Sequence, residues 1–252
     1  MENPVSALRA SVDRLHVLVN GLDDEQLVSP SYCDDWTVAQ VLSHLGSGAV
    51  IARRSLEDSR SGNPTPDDFN QSVWDEWNAK TPRAQADDAL LADEALTQAV
   101  EALPEDERAE LTFSMGPMTL GFNDLFGLRL NEHAFHTWDI AVALDDDAVV
   151  PGDAAAVIVD NLSLIARFSG RPDGKDRTIA IRTTGPERDM VLRLTADGVE
   201  LTAGEPGQSP DLELPAEALS RLVYGRLDPD HTPAVTGDAT LLAELRAVFP
   251  GP

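Results

Sequence analysis

Asn131-Glu132-His133-Ala134-Phe135-His136-Thr137-Trp138-Asp139 lies inside an apolar run from about Leu120 to Leu144. At a helical pitch of about 100° per residue, Glu132 and His136 fall about 40° apart and one turn along. Arg129 and Asp139 share that narrow stripe, which Leu125, Leu128 and Phe135 border. Phe126, Leu130, Trp138, Ile140, Val142 and Leu144 cover much of the remaining circumference. A helix this apolar all round is a buried one. Inside it a carboxylate or imidazole is costly unless paired or bound to a metal. Two readings of the stripe follow. One is a Glu132–His136 or Arg129–Glu132 pair satisfied within the core, since i,i+4 pairs are common on helices. The other is a ligand set.

The stretches before it set the architecture. Residues 4 to 22 place Val5, Leu8, Val12, Leu15, Val19 and Leu22 at helical spacing, with His16 as a boundary residue among them. Residues 36 to 58 predict a second helix. Thr37-x-x-Gln40 reads as its capping box, and Trp36 is placed to staple onto Val41. His44 sits on this helix beside Gly46 and Gly48, small residues that let another backbone or a ligand approach closely. Cys33, just before it, reads as a small buried or loop residue, with no basic neighbour in sequence to activate the thiol. A short helical piece at 69–79 carries Trp74 and Trp77, read as core. A third long helix spans 85–103 and stops at Pro104, and Leu111 to Pro117 is a loop or short extended piece. With the quoted stretch as the fourth, these long amphipathic helices predict a bundle, in which sites are built from side chains on facing helices.

After Asp145-Asp146-Asp147 the texture changes. One helix from Asp153 to Phe168 precedes short β-like runs at 177–182, 190–194 and 199–201, separated by turn residues. Leu212 to Pro215 reads as the entry to a helix ending at Gly225-Arg226, and a final helix spans Ala239 to Phe249. The expected class is α+β: a four-helix bundle over residues 1–148, then a small α+β domain over 149–252.

Composition narrows the partners. The 252 residues carry 44 Asp and Glu against 19 Lys and Arg, a formal charge of -25. That excludes a nucleic-acid partner, which needs a basic face, and an anionic membrane surface. A single cysteine rules out an internal disulfide and a cysteine-rich metal site. The N-terminus lacks the plan of a signal peptide, and no apolar run is long enough to span a bilayer. A soluble cytoplasmic protein is expected.

The bundle sets His44 against Glu132 and His136. Two imidazoles and a carboxylate suit a divalent transition metal, and three protein ligands leave a coordination position open, as catalytic sites do. His133 lies about 100° from Glu132 and is poorly placed to share an ion with it. A His133–His136 pair at i,i+3 remains possible.

Trp36-Thr37-Val38 leading to His44-Leu45, then Glu132-x-x-x-His136-x-Trp138-Asp139, then an α+β tail holding Gly225-Arg226, together resemble the mycothiol-dependent maleylpyruvate isomerase family. The resemblance implies a DinB-like bundle followed by a sterol-carrier-like domain. It implies a divalent metal, zinc first, held by His44, Glu132 and His136, with Trp138-Asp139 as support or packing behind the ligands. It implies mycothiol as a low-molecular-weight thiol whose pKa the metal lowers, and a small-molecule electrophile as substrate. In an isomerase the thiolate adds to an activated alkene, the bond turns, and elimination releases the trans isomer. In a mycothiol S-transferase the conjugate persists. A functional arginine in the C-terminal domain matches Arg226, with Arg221 second. A guanidinium fork suits a substrate carboxylate, and the plainer reading of Arg226 is a side chain satisfying a helix C-terminus. Asp34-Asp35, where a small turn residue is common, departs from the pattern. The rival from another class is a non-catalytic small-ligand-binding protein with a structural metal.

Overall fold

Asn3 accepts a hydrogen bond from the backbone N–H of Val5 (3.0 Å) and starts α1, Pro4–Asn20. The computed structural model describes residues 3–116 and 118–251, and the chain divides into two compact units, Asn3–Ala148 and Val149–Pro252.

In the first unit α1 is followed by the short α2, Asp24–Leu27, and by α3, Val38–Ser61. The expected capping box starts α3: Gln40 N donates to Thr37 Oγ1 (3.3 Å), and Thr37 N donates to Gln40 Oε1 (2.8 Å). Then come α4, Phe69–Asn78, α5, Pro82–Glu101, and α6, Glu105–Glu110. Leu111 to Pro117 resolves into half of a hairpin, β1 Thr112–Met115 paired antiparallel with β2 Met118–Gly121; Pro117 itself lies outside the described residues. The hairpin takes Leu120 out of the helical run, so α7 spans Phe122–Val142.

The four long helices close a ring in which α1 packs on α5 and α7, and α3 packs on α5 and α7. Leu15, Val19, Val41, Leu42, Leu45, Ala86, Ala89 and Ile140 supply its apolar centre. Burial of such side chains contributes about 25 cal/mol per Å² of apolar surface. The small residues of α3 matter here. A Cβ at Gly46 would stand 2.2 Å from the Trp77 ring, and one at Gly48 would stand 2.8 Å from Arg129 Nη1. Trp77 is thus core, as expected, whereas Trp74 is 43% exposed: its position on the short α4 faces it outward.

In the second unit the expected single helix is two, α8 Gly152–Asp160 and α9 Leu162–Ser169. Asn161 separates them; its side chain donates to the Val157 carbonyl (3.1 Å), competing with the backbone ladder. The strands are β3 Arg177–Thr184, β4 Arg188–Leu194, β5 Val199–Ala203, β6 Leu212–Pro215 and β7 Thr236–Gly237, in sheet order β5-β4-β3-β6-β7. Leu212 to Pro215 is therefore a strand and not a helix entry. It runs parallel to β3 with Ile181 opposite Leu212, a pairing far away in sequence that no local pattern announces. Pro215 then caps α10, Ala216–Val223, and α11, Thr240–Val248, closes the unit. The α+β class holds across the chain.

Candidate metal centre

The N-terminus of α3, pinned by Thr37 and Gln40, places His44 two turns in, facing α7. On α7 the four-residue spacing brings Glu132 and His136 to the same spot. Glu132 Oε2 lies 3.2 Å from His44 Nε2 and 3.6 Å from His136 Nε2, and the two imidazole centroids are 4.7 Å apart. One ligand atom from each of the three residues lies within 4.8 Å of the others. Zinc bonds of ~2.0–2.1 Å to nitrogen place neighbouring donors of one tetrahedral ion about 3.3 Å apart. Two imidazoles and a carboxylate are the donor types that one divalent transition-metal ion takes.

The site is open on one side and anchored on the other. Glu132 keeps 47% of its side-chain surface exposed and His44 37%, whereas His136 keeps 10%. Burial alone would raise the Glu132 carboxyl; hydrogen bonds from His136 and His44, with their charge, hold it far below the carboxylate range. Burial alone would lower the His136 imidazole, but its hydrogen bond to Asp139, with Cys33 and Glu132 adding to it, raises it to about 10. The raised His136 value reports the carboxylates beside it, and the lowered Glu132 value reports the two imidazoles that face it.

Behind His136 stands Asp139, fully buried, its Oδ2 2.8 Å from His136 Nδ1. That contact leaves Nε2 facing Glu132. Trp138 turns the other way and donates its indole N–H to the Ala148 carbonyl (2.8 Å). Of the two side chains, Asp139 orients His136, and Trp138 packs and ties the end of α7.

Several residues sit where the sequence alone does not put them. Trp36 stacks beside the site, its ring 6.2 Å from that of His136 at 24° and 5.4 Å from that of His44. Cys33 reaches the same histidine: its thiol donates to Asp139 Oδ2 at 3.0 Å and lies 3.7 Å from His136 Nδ1. Its partners come from α7, so inspecting its sequence neighbours could not find them. Arg129 does not pair with Glu132. Its Nη2 donates to Asp93 Oδ1 and to the Leu45 carbonyl, both at 2.7 Å. His133 is likewise kept away from the ligands, between Ser11 Oγ (2.8 Å) and Asp93 Oδ2 (3.3 Å). Asp93 carried a signal: it occupies a core position in the apolar period of Ala89, Leu90, Leu96 and Val100. Asp35 adopts φ 64°, a left-handed conformation that aspartate tolerates better than most residues. The acidic pair before Trp36 is thereby accommodated in the turn.

In the second unit Arg221 is buried and its fork grips Glu217, Nε to Oε2 at 2.7 Å and Nη2 to Oε1 at 3.1 Å. Arg226 is also buried, and its Nη1 donates to the Tyr224 carbonyl (3.2 Å) just past α10. Arg221 is thus committed to an ion pair, and Arg226 engages the helix end.

Among known proteins, the sequence model of the family described as "Mycothiol maleylpyruvate isomerase N-terminal domain" matches residues 8–141. A curated protein of Geobacillus thermodenitrificans, named "Putative metal-dependent hydrolase", is 36% identical over 83 residues, 32% of this chain and 44% of that protein. A protein of Geobacillus kaustophilus named in the same way is 37% identical over 71 residues, 28% of this chain and 40% of that protein. The chain thus spans less than half the length of the curated relatives it matches. The crystal structure of the mycothiol-dependent maleylpyruvate isomerase superposes with a TM-score of 0.64 at 13% identity, covering 88% of each chain. A histidine-to-alanine variant of that protein gives 0.63, with the same identity and coverage. At that identity the likeness is one of fold.

Proposed function

The chain belongs to the mycothiol-dependent maleylpyruvate isomerase family, and on that premise we propose that it is a metal-dependent, mycothiol-dependent enzyme acting on an electrophilic small molecule. The observation that carries this reading is the convergence of His44, Glu132 and His136, from two helices, within 4.8 Å. The ion proposed for them is divalent, zinc first, since two imidazoles and one carboxylate match its catalytic sites. Such an ion, when bound, lowers the pKa of a thiol and supplies a thiolate near neutral pH.

The chain's own residues do the rest. His44 and His136 present ring nitrogens, and Glu132 supplies the one negative charge in the ligand set. Asp139 holds His136 by its Nδ1 so that the opposite nitrogen faces the ligand position. The exposed flank of Glu132 and His44 leaves room for a thiol and a substrate to enter. Trp36, stacked beside both histidines, gives that opening an apolar wall. For Arg226 the proposal is recognition of a substrate carboxylate, and it is tested separately: Arg226→Lys raises KM for a carboxylate-bearing substrate while metal content stays unchanged.

The first test is elemental analysis of untagged wild type and His44→Ala. About one zinc per chain, lost in the variant, supports the centre and justifies assays with mycothiol. No metal in the wild type, even after incubation with zinc, sinks the proposal. Turnover of an electrophile to an isomer, or to a stable conjugate, then separates isomerase from S-transferase. The name of the curated relatives favours one further reading, metal-dependent hydrolysis. Turnover of an ester or amide without any thiol would select it.

A further inference from the structure

The short loop that leads into α3 grips α7 at three points. Tyr32 N donates to the Asp139 carbonyl at 3.0 Å, and the Tyr32 ring meets Trp138 edge-on at 4.7 Å. Trp36 stacks beside His136, and the Cys33 thiol reaches Asp139 Oδ2 at 3.0 Å. The loop is itself tied down. Ser31 N donates to the Trp36 carbonyl at 2.9 Å, Cys33 N donates to Ser31 Oγ at 3.2 Å, and Val38 N donates to the Ser29 carbonyl at 3.1 Å. Asp35 in its left-handed conformation turns the chain between Cys33 and Trp36. A loop with this many internal bonds delivers the thiol to a fixed place.

We infer that Cys33 is a positioning residue of the metal centre, its thiol holding the Asp139 carboxylate that in turn holds His136. The inference rests on the metal reading above. Asp139 Oδ2 accepts from both Cys33 Sγ and His136 Nδ1, so the two donors fix one buried oxygen from two directions. Asp139 is fully buried, and such a carboxylate keeps its orientation only while its donors are present. Take the thiol away and Oδ2 loses one of them, and His136, which it holds, follows any movement of the carboxylate. Cys33 does not ligate the ion directly. The thiol lies on the Nδ1 side of the His136 ring, whereas Nε2 faces Glu132, and the two ring nitrogens point away from one another.

The test is the zinc affinity of wild type, Cys33→Ala and Cys33→Ser by competition with a chromophoric chelator, together with electronic spectra of the cobalt(II)-loaded proteins. Loss of an outer hydrogen-bond partner weakens metal affinity by about 10–100-fold, and Cys33→Ala is expected near the lower limit, about tenfold. Cys33→Ser keeps an O–H donor in place of the thiol and recovers most of that loss. Wild-type cobalt spectra are expected to show one ion per chain and no thiolate-to-metal charge-transfer band. Equal affinity of Cys33→Ala and wild type overturns the inference, and so does a serine variant as weak as the alanine one. A charge-transfer band that vanishes in Cys33→Ala, or a second bound ion, makes Cys33 a ligand instead. Zinc binding that survives His44→Ala unchanged defeats the metal centre itself, an outcome distinct from all of these.

Discussion

Asp139 illustrates how much a single side chain behind a histidine can decide. It is fully buried, yet it sets which imidazole nitrogen of His136 is available. Asp139→Ala is expected to weaken zinc binding by about 10–100-fold while helix content by circular dichroism stays unchanged. Asp93 plays a different part, in stability. It is buried between Arg129 and His133, and removing one partner of such a group costs about 3–5 kcal/mol. Asp93→Ala should lose that much in urea unfolding. Burial alone would raise the Asp93 carboxyl, but the charges of His133 and Arg129, and their hydrogen bonds, lower it below its ordinary value. A depressed native pKa means stability that is complete above the unfolded value of about 3.9 and is lost as pH falls toward the native one. Wild-type stability therefore drops on acidification below that value, and Asp93→Asn, which cannot titrate, lacks this part of the drop. Denaturant midpoints across a pH series measure it. Asp93 was legible as an out-of-place core position; Cys33 was not, because its partners lie more than a hundred residues on in the chain.

At the scale of elements, α3 and α7 carry the centre, and their placement depends on cap and contact. Thr37→Ala removes the capping box of α3 and is expected to cost about 1 kcal/mol, typical of a lost N-cap. Gly46→Ala puts a methyl group into the Trp77 ring and against the Ala89 backbone, where neither neighbour can yield easily. Overpacking of this kind costs about 1–3 kcal/mol, read as a lower denaturant midpoint. Helices with strong periodicity were plain in the sequence, and so was the start of α3. The break at Asn161 and the strand at Leu212 were not. The first depends on one side chain competing for a backbone carbonyl, the second on a parallel partner about thirty residues earlier.

Across the whole molecule, charge and ligand binding set the response to conditions. All four tryptophans, Trp36, Trp74, Trp77 and Trp138, lie in the Asn3–Ala148 unit, so tryptophan fluorescence reports that unit. An ion that binds only the folded chain stabilises it by about 2.7 kcal/mol at a hundredfold excess over Kd. Chelation should accordingly lower the fluorescence-detected Tm, and added zinc should restore it in wild type but not in His44→Ala. A formal charge of -25 opposes compaction by self-repulsion. Raising salt from about 0.01 to about 1 M shortens the Debye length from ~30 to ~3 Å, and Tm should rise. An unchanged or lower Tm in salt would show that the carboxylates are already compensated by their neighbours. No helix among the described residues is long and apolar enough to cross a membrane.

The sequence by itself determined the helical bundle and the α+β class, because hydrophobic period is a local property that any helix must express; i,i+4 spacing pairs Glu132 with His136, and the addition of His44 rests on the family resemblance. Only the tertiary structure decided which charges that trio excludes. Arg129 and His133 share α7 with Glu132 and His136 but turn to Asp93 on α5. Only the fold, too, brings Trp36 and Cys33 to His136, since a loop's reach is set by the packing of the helices it joins. An i,i+4 pair such as Glu132 and His136 can be written in one helix; His44 on α3 and the side chains that orient the pair come from segments that meet only when the chain has folded.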